Sequence, residues 1–337
     1  MNRRNQILAI VLLAQIALAA VIFISRGAPT SPPGTPLLGA LKISDVISLT
    51  AQDNAGKTIT LAQQNGKWII PAIDNYPVAA ERVTGLLDKI LSVKTDALET
   101  RTSAAHQQLQ VAETAFTRKL DLKLADGSTR MLYLGTAPTG ASAHVRVAGQ
   151  DAVYLARTFS PIDLGLDASS WIETGYVNLP QSDILTATLQ NAAGTFRFVR
   201  DAQNQWTLLG LTASEKFNPD VIVGMLAHLT NLQMMTPLGK LAKPEYGIDK
   251  PSAVLTLESK TDSGLKTTLL TIGAKDQTDN SYVIISSDSP YYVRTAQFNV
   301  DEFVTKTRDG FLVLPPTPTP APTSIAPSAT ATITSTK

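Results

Sequence analysis

The chain has 337 residues, 44% hydrophobic and 17% charged, with a formal net charge of +1, three histidines and no cysteine. That length suits roughly two domains, and the composition is that of a chain that buries a core. The charge balance argues against nucleic acid as a partner, and the missing cysteines exclude disulfides, thiol catalysis and cysteine metal sites.

Asn2, Arg3 and Arg4 precede an uncharged run from Ile7 to Ile24, interrupted only by Gln15. A helix over that run spans about 27 Å, close to the apolar thickness of a bilayer. Residues 1–26 are therefore expected to form an N-terminal transmembrane anchor that contacts the membrane through residues 7–24. A cleaved signal peptide is the alternative, although its apolar core is usually shorter, about 7–15 residues. The arginines on the short side place the amino terminus in the cytoplasm and the bulk of the chain outside the plasma membrane. Residues 27–42, rich in proline and glycine, read as a linker.

Residues 43–175 and 176–314 then read as two repeats. Asp45, Gly56, Trp68, Val83 and Leu91 are each followed 138 positions later by an identical or similar residue: Asp183, Gly194, Trp206, Val221 and Leu229. Gly135, Val145 and Tyr154 pair with Gly273, Val283 and Tyr292 at the same spacing. Within each repeat, short stretches of period-two alternation separated by turn residues predict antiparallel strands. In the first, Ile47, Leu49 and Ala51 form the inward set of the opening strand. A second strand follows over Thr58 to Ala62, and Asn65-Gly66 turns into a tryptophan strand, Lys67 to Ile70. Val83, Leu86, Leu87, Ile90 and Leu91 recur at helical spacing after Pro77 near the first turn. Four more strands are expected over Leu120–Leu124, Met131–Leu134, Val145–Val147 and Val153–Ala156.

The second repeat follows the same order. Leu185, Ala187 and Leu189 match the first strand, while Phe196 and Phe198 match Ile59 and Leu61 only at a spacing of 137, which predicts a bulge in one copy. Asn218-Pro219 starts a helix carrying Val221, Met225, Leu229 and Leu232. The remaining strands fall near Val254–Glu258, Thr267–Ile272, Tyr282–Ser286 and Tyr291–Arg294. The expected fold class is α+β: two tandem repeats, each a mostly antiparallel twisted sheet packed on one amphipathic helix, behind the single transmembrane helix. Residues 315–337 are almost entirely proline, threonine, serine and alanine, which predicts a disordered tail.

These residues resemble a known family. The turn before each tryptophan strand, the helix after it, the segment Tyr246-Gly247-Ile248-Asp249-Lys250-Pro251 and the later Ile272-Gly273 are similar to the bacterial family called domain of unknown function 4340. The similarity extends over about Ile43 to Leu314, and in the first copy Leu109-Gln110-Val111 stands where the Tyr-Gly-Ile segment falls in the second. The resemblance implies an auxiliary role beside ABC-type transporter components. Its motifs are packing and turn signatures that carry no chemistry.

No nucleophile elbow, phosphate loop, dinucleotide turn, zinc helix or calcium loop occurs. His106 sits in a glutamine-rich loop. His144 alternates with Ser142 and Arg146 on what is expected to be the solvated face of a strand. His228 aligns with Ile90 on a core-facing stripe, as a partly buried histidine. Asp276, Asp279 and Asn280 share a loop and are expected to serve its turn rather than bind calcium. Trp68 and Trp206 are expected to be buried, and Trp171 partly exposed. No catalytic, cofactor-binding or metal-binding residue and no cofactor is assigned. The expected function is a non-catalytic binding or scaffolding module with an envelope protein such as a transporter as partner. The alternatives are a cell-envelope hydrolase with dispersed catalytic residues, or a solute- or glycan-binding protein.

Overall fold

The computed structural model describes residues 34–137 and 139–313, together with Gln15. The chain divides into two compact units, one built from residues up to Tyr176 with 234–242 and 291–294, the other from 177–233, 243–290 and from Thr295 onward.

The first unit has a sheet of β1 (Val46–Gln52), β2 (Thr58–Gln64), β3 (Lys67–Ile70), β4 (Tyr76–Pro77), β5 (Leu98–Thr100), β6 (Arg118–Leu124), β7 (Thr129–Thr136), β8 (Ala143–Val147) and β9 (Val153–Ala156). Their spatial order is β4-β3-β2-β1-β6-β7-β8-β9-β5. Every pairing for which a register is resolved is antiparallel, as short connections between neighbours require. One helix, α1 (Ala80–Leu91), buries Val83, Leu86, Leu87 and Ile90 and packs against β3 and the 3-10 turn Ile43–Asp45.

The second unit orders β10 (Ile184–Asn191), β11 (Gly194–Arg200), β12 (Trp206–Leu208), β14 (Ala253–Thr261), β15 (Gly264–Lys275) and β16 (Tyr282–Ser286) as β12-β11-β10-β14-β15-β16. That is the order of β3-β2-β1-β6-β7-β8, strand for strand. The helix α2 (Pro219–Thr230) packs against β12 and the turn Gln181–Asp183, the counterparts of the surfaces that hold α1. A further helix, α3 (Gln297–Thr305), packs on β10, β14 and α2. Two more strands, β13 (Met234–Gly239) and β17 (Tyr292–Thr295), occur among the described residues, and β13 and all of β17 but Thr295 fall with the first unit.

The α+β reading with one helix per repeat is thus corrected. Among the described residues the architecture is two mainly antiparallel sheets, and the helices α1, α2 and α3 are short, of 12, 12 and 9 residues, with two in the second unit. Among the described residues no helix is long and apolar enough to cross a membrane. Apart from Gln15, the expected anchor at residues 7–24 lies outside the described residues, as do the part of the linker before Gly34 and the tail over 315–337.

Register corrects three finer expectations. In β1 the buried residues are Val46, Leu49 and Ala51, with Ile47 only partly buried. A register shift between Val46 and Ser48 turns the first residue inward, and the same shift between Ile184 and Thr186 puts Ile184, not Leu185, in the core. The 137 spacing of Phe196 and Phe198 needs no bulge, because the β10–β11 ladder is regular. The residue is lost in the turn. Five residues from Asp53 to Lys57 join β1 to β2, with Asp53 Oδ1 accepting from the amides of Ala55 (3.0 Å) and Lys57 (2.9 Å). An equivalent Asp turn recurs in the other hairpin, where Asp201 Oδ1 accepts from the amides of Gln203 (2.9 Å) and Gln205 (2.8 Å) between β11 and β12. The two units therefore exchange a long and a short turn between successive hairpins, and the buried faces stay in register.

Helices are the third case. The buried set of α2 is Ile222, Met225, Leu226 and Leu229, which lies 139 positions after that of α1. Ile90 therefore corresponds to Leu229, and His228 is exposed, off the stripe where the 138 spacing put it. Pro77, expected in the first turn of the helix, instead pairs with Ile69 in β4. Asn218 caps α2 as expected, its side chain accepting from the Asp220 amide at 3.2 Å.

Candidate functional site

The side of β8 opposite the helix is where polar chemistry gathers. Ala143–Val147 reads as one apolar and one polar face, yet His144 and Arg146 on the polar face are buried along with Ser142. The expectation of a solvated face is corrected. Its cover is the segment between β5 and β6, which contributes Leu109, Val111 and Phe116 to a small core with Met131, Tyr133, Ala148 and Val153. Burying those apolar groups recovers roughly 25 cal/mol per Å² and closes this face of the sheet to solvent.

A shared backbone device holds this cover down. The Leu109 carbonyl sits so close to Gly135 in β7 that a Cβ there would lie 1.8 Å from it. In the second unit the Tyr246 carbonyl stands 2.0 Å from the equivalent point on Gly273. The next residue has a left-handed backbone in both, φ 55° at Gln110 and φ 64° at Gly247. Leu109-Gln110-Val111 thus adopts the conformation of Tyr246-Gly247-Ile248 without its sequence. Gln110 adds side-chain bonds of its own, accepting from the hydroxyls of Thr117 and Thr136, both at 2.9 Å.

Under this cover Arg146 is 4% exposed. Its guanidinium lies over the Tyr133 ring, 4.7 Å from the centroid. Nε donates to the Val111 carbonyl at 2.7 Å and Nη1 to the Gln150 carbonyl at 3.1 Å. Among the described residues Nη2 has no acceptor, and no carboxylate forms an ion pair with this cation. Beside it the buried His106 ring donates from Nε2 to the Asp151 carbonyl at 2.8 Å, which sets its tautomer. His106, Gln107, Glu113, Arg146, Gln150 and Asp151 line a recess of about 490 Å³, with Glu113 and Asp151 exposed at its rim. Burial is the main cause that pushes the Tyr133 hydroxyl pKa up from its ordinary value. The Glu113 carboxylate raises it further, and Arg146 opposes both.

The second unit supplies a contrast. Ile284 takes the place of Val145 in the ladder, opposite Ile272 as Val145 is opposite Leu134, so Val283 and Ile285 stand where His144 and Arg146 do. The second unit's own stacked arginine, Arg200, lies 4.7 Å from the Trp206 ring centroid and is fully engaged. Its Nε, Nη1 and Nη2 donate to the carbonyls of Ile184, Asn204 and Gln181 at 2.8, 3.1 and 3.2 Å.

The other candidates resolve individually. The His144 Nδ1 meets the Thr136 carbonyl at 2.7 Å. His228 lies beside the exposed Phe298 with Asp301 and Glu302. Asp276 accepts from the amide and hydroxyl of Thr278, and Asp279 from the Ser281 amide at 2.9 Å, so both carboxylates act within their turn. No group of His, Asp and Glu suited to a metal ion occurs among the described residues. Trp68 and Trp206 are buried on β3 and β12, and the Trp206 Nε1 has no acceptor among the described residues. Trp171 is buried too, contrary to expectation, because its Nε1 donates to the Gly165 carbonyl at 2.8 Å and its own carbonyl accepts from the Ala79 amide before α1.

Sequence reasoning missed Arg146 as a buried cation. The signal was present in Leu109, Val111 and Phe116, apolar residues in an otherwise polar loop that need a face to cover.

A family model described as Domain of unknown function (DUF4340) matches residues 68–236. That stretch starts at the first tryptophan strand and ends beyond α2, shorter than the similarity expected from the sequence. No curated protein and no solved structure matches the chain. The matched stretch makes up half of the chain, which therefore belongs to the DUF4340 family.

Proposed function

We infer that this protein is a non-catalytic binding module whose ligand contacts are made in the recess of the first unit. The carrying observation is Arg146, a buried guanidinium with an unused donor edge that lines an open recess. A guanidinium stays charged at every physiological pH and accepts no proton, so it suits binding rather than proton transfer. The histidines support the same reading, since the ring bonds of His106 and His144 end on main-chain carbonyls and not on a nucleophile or carboxylate. Two tandem copies of one ancestral unit are part of this inference. It is supported by the matching strand order, the shared shift in β1 and β10, and the glycine contacts at Gly135 and Gly273. A partner in the cell envelope, such as a transporter component, is what the family resemblance implies.

The reading is tested by exposing the full chain to small-molecule ligands while following hydrogen exchange, with peptidase, esterase, glycosidase and phosphatase substrates assayed in parallel. Saturable protection of residues 103–113 and 146–151 without turnover is the expected result. Turnover that disappears in His106→Ala would overturn it.

A further inference from the structure

We propose that the Arg146 recess binds the carboxylate of a small zwitterion, a ligand of amino-acid or short-peptide type. This rests on reading the recess as a binding site and names its ligand class. Removing a guanidinium from water costs several kcal/mol unless its N–H groups find acceptors. Arg146 places Nε and one Nη1 hydrogen on carbonyls, which leaves three of its five N–H groups without an acceptor among the described residues. Arg200 shows that the fold is able to engage all three nitrogens of a stacked arginine when the cation is structural. The open donors of Arg146 face a polar recess, and the planar fork of an arginine matches the two oxygens of a carboxylate.

The rim narrows the class. Glu113 and Asp151 line the same recess and are exposed, so a ligand carrying further negative charge meets repulsion there. A ligand with an ammonium group beside its carboxylate meets complementary charge at both ends. A volume of about 490 Å³ accommodates a short peptide. The second unit has Val283 and Ile285 at the matching positions, so one site per chain is expected.

The experiment uses the full chain and three probes of one size: triglycine, N-acetyl-triglycine and triglycine amide. Binding is followed by the NMR signals of arginine Nε–H and by calorimetry. Triglycine is expected to bind best and N-acetyl-triglycine several-fold more weakly, while the amide is expected to give no saturable response. Arg146→Gln should weaken triglycine at least tenfold. Glu113→Gln should reduce the preference for triglycine over its acetylated form, weakening triglycine while the acetylated anion, freed of one repelling carboxylate, binds no more weakly than before. The Glu113 variant and the probe order remain decisive if Arg146→Gln does not fold. Equal binding of acid and amide overturns the carboxylate assignment but leaves a binding recess. No response to any probe, or full affinity in a folded Arg146→Gln, overturns the site itself. The hydrogen-exchange and turnover assay above judges the broader reading separately.

Discussion

Six strands run in the same order in both units, and the clearest chemical difference between those six lies on one face of one strand. In the first, β8 turns His144 and Arg146 under an irregular cover, and in the second, β16 turns Val283 and Ile285 to the matching side. The cover is held by the same carbonyl-to-glycine contact in both, so the backbone does not require the polar residues. The shared parts are therefore structural, and the unshared cation is the part with room for a function. A buried arginine is often neutral or destabilising relative to an apolar residue of similar volume, so it does not explain itself by stability.

The comparison is tested most severely at the tryptophans. Trp68→Ala and Trp206→Ala should each cost about 3–5 kcal/mol in denaturant unfolding, as large core truncations do. Trp206→Phe should cost less than Trp68→Phe, because it also removes a buried indole N–H that has no acceptor among the described residues. The reverse order would show that the orphaned group is satisfied in solution.

Next come the glycines. Gly135→Ala and Gly273→Ala should be destabilising by about 3 kcal/mol each, since the new methyl meets a backbone carbonyl that has no rotamer to yield. A large cost in one unit and none in the other would break the equivalence of the two joints.

A smaller effect sharpens it. Exchanging the residues after the joint should be asymmetric. Gly247→Gln should cost about 1–2 kcal/mol, because a side chain there is left-handed and its Cβ falls 2.9 Å from the Ala274 amide nitrogen. Gln110→Gly should be near neutral, as relief of the left-handed backbone offsets two lost hydroxyl bonds. Thermal melts of the two variants decide it.

The smallest effect separates the units by pH. In the second unit Arg308 bonds Glu215 at 2.7 Å and is the main cause that lowers the Glu215 carboxyl from 4.5 to about 2. A carboxylate depressed in the folded state stabilises above its unfolded pKa, and that contribution fades as the pH falls from 4.5 through about 2. Glu215→Gln should therefore narrow the stability difference between pH 6 and pH 3, read by urea unfolding at each. An unchanged difference would mean the pair contributes nothing in solution.

Much of this fold was legible because its signals are local. Asn65-Gly66, Asn218-Pro219 and the apolar alternation of Leu120–Leu124 each encode their own conformation, and the strands and cap appear where those residues stand. Long-range register was not legible. One extra residue between Leu208 and Ile222 shifts α2 relative to α1, and a constant spacing therefore misassigned His228 to the core. The candidate site was hidden for a related reason. Alternation along β8 shows that two faces differ but cannot show that residues 109–116 fold back to cover the polar one.

The exchanged turns have a practical consequence. Because Asp53–Lys57 and Asp201–Gln205 are alternatives that the sheets accept at different corners, hairpin length is decoupled from the pairing of the strands. Both tips are therefore ports for engineering. A short epitope or a tetracysteine dye site inserted between Ala55 and Gly56, or between Gln203 and Asn204, should report on either unit by fluorescence while the buried faces stay intact.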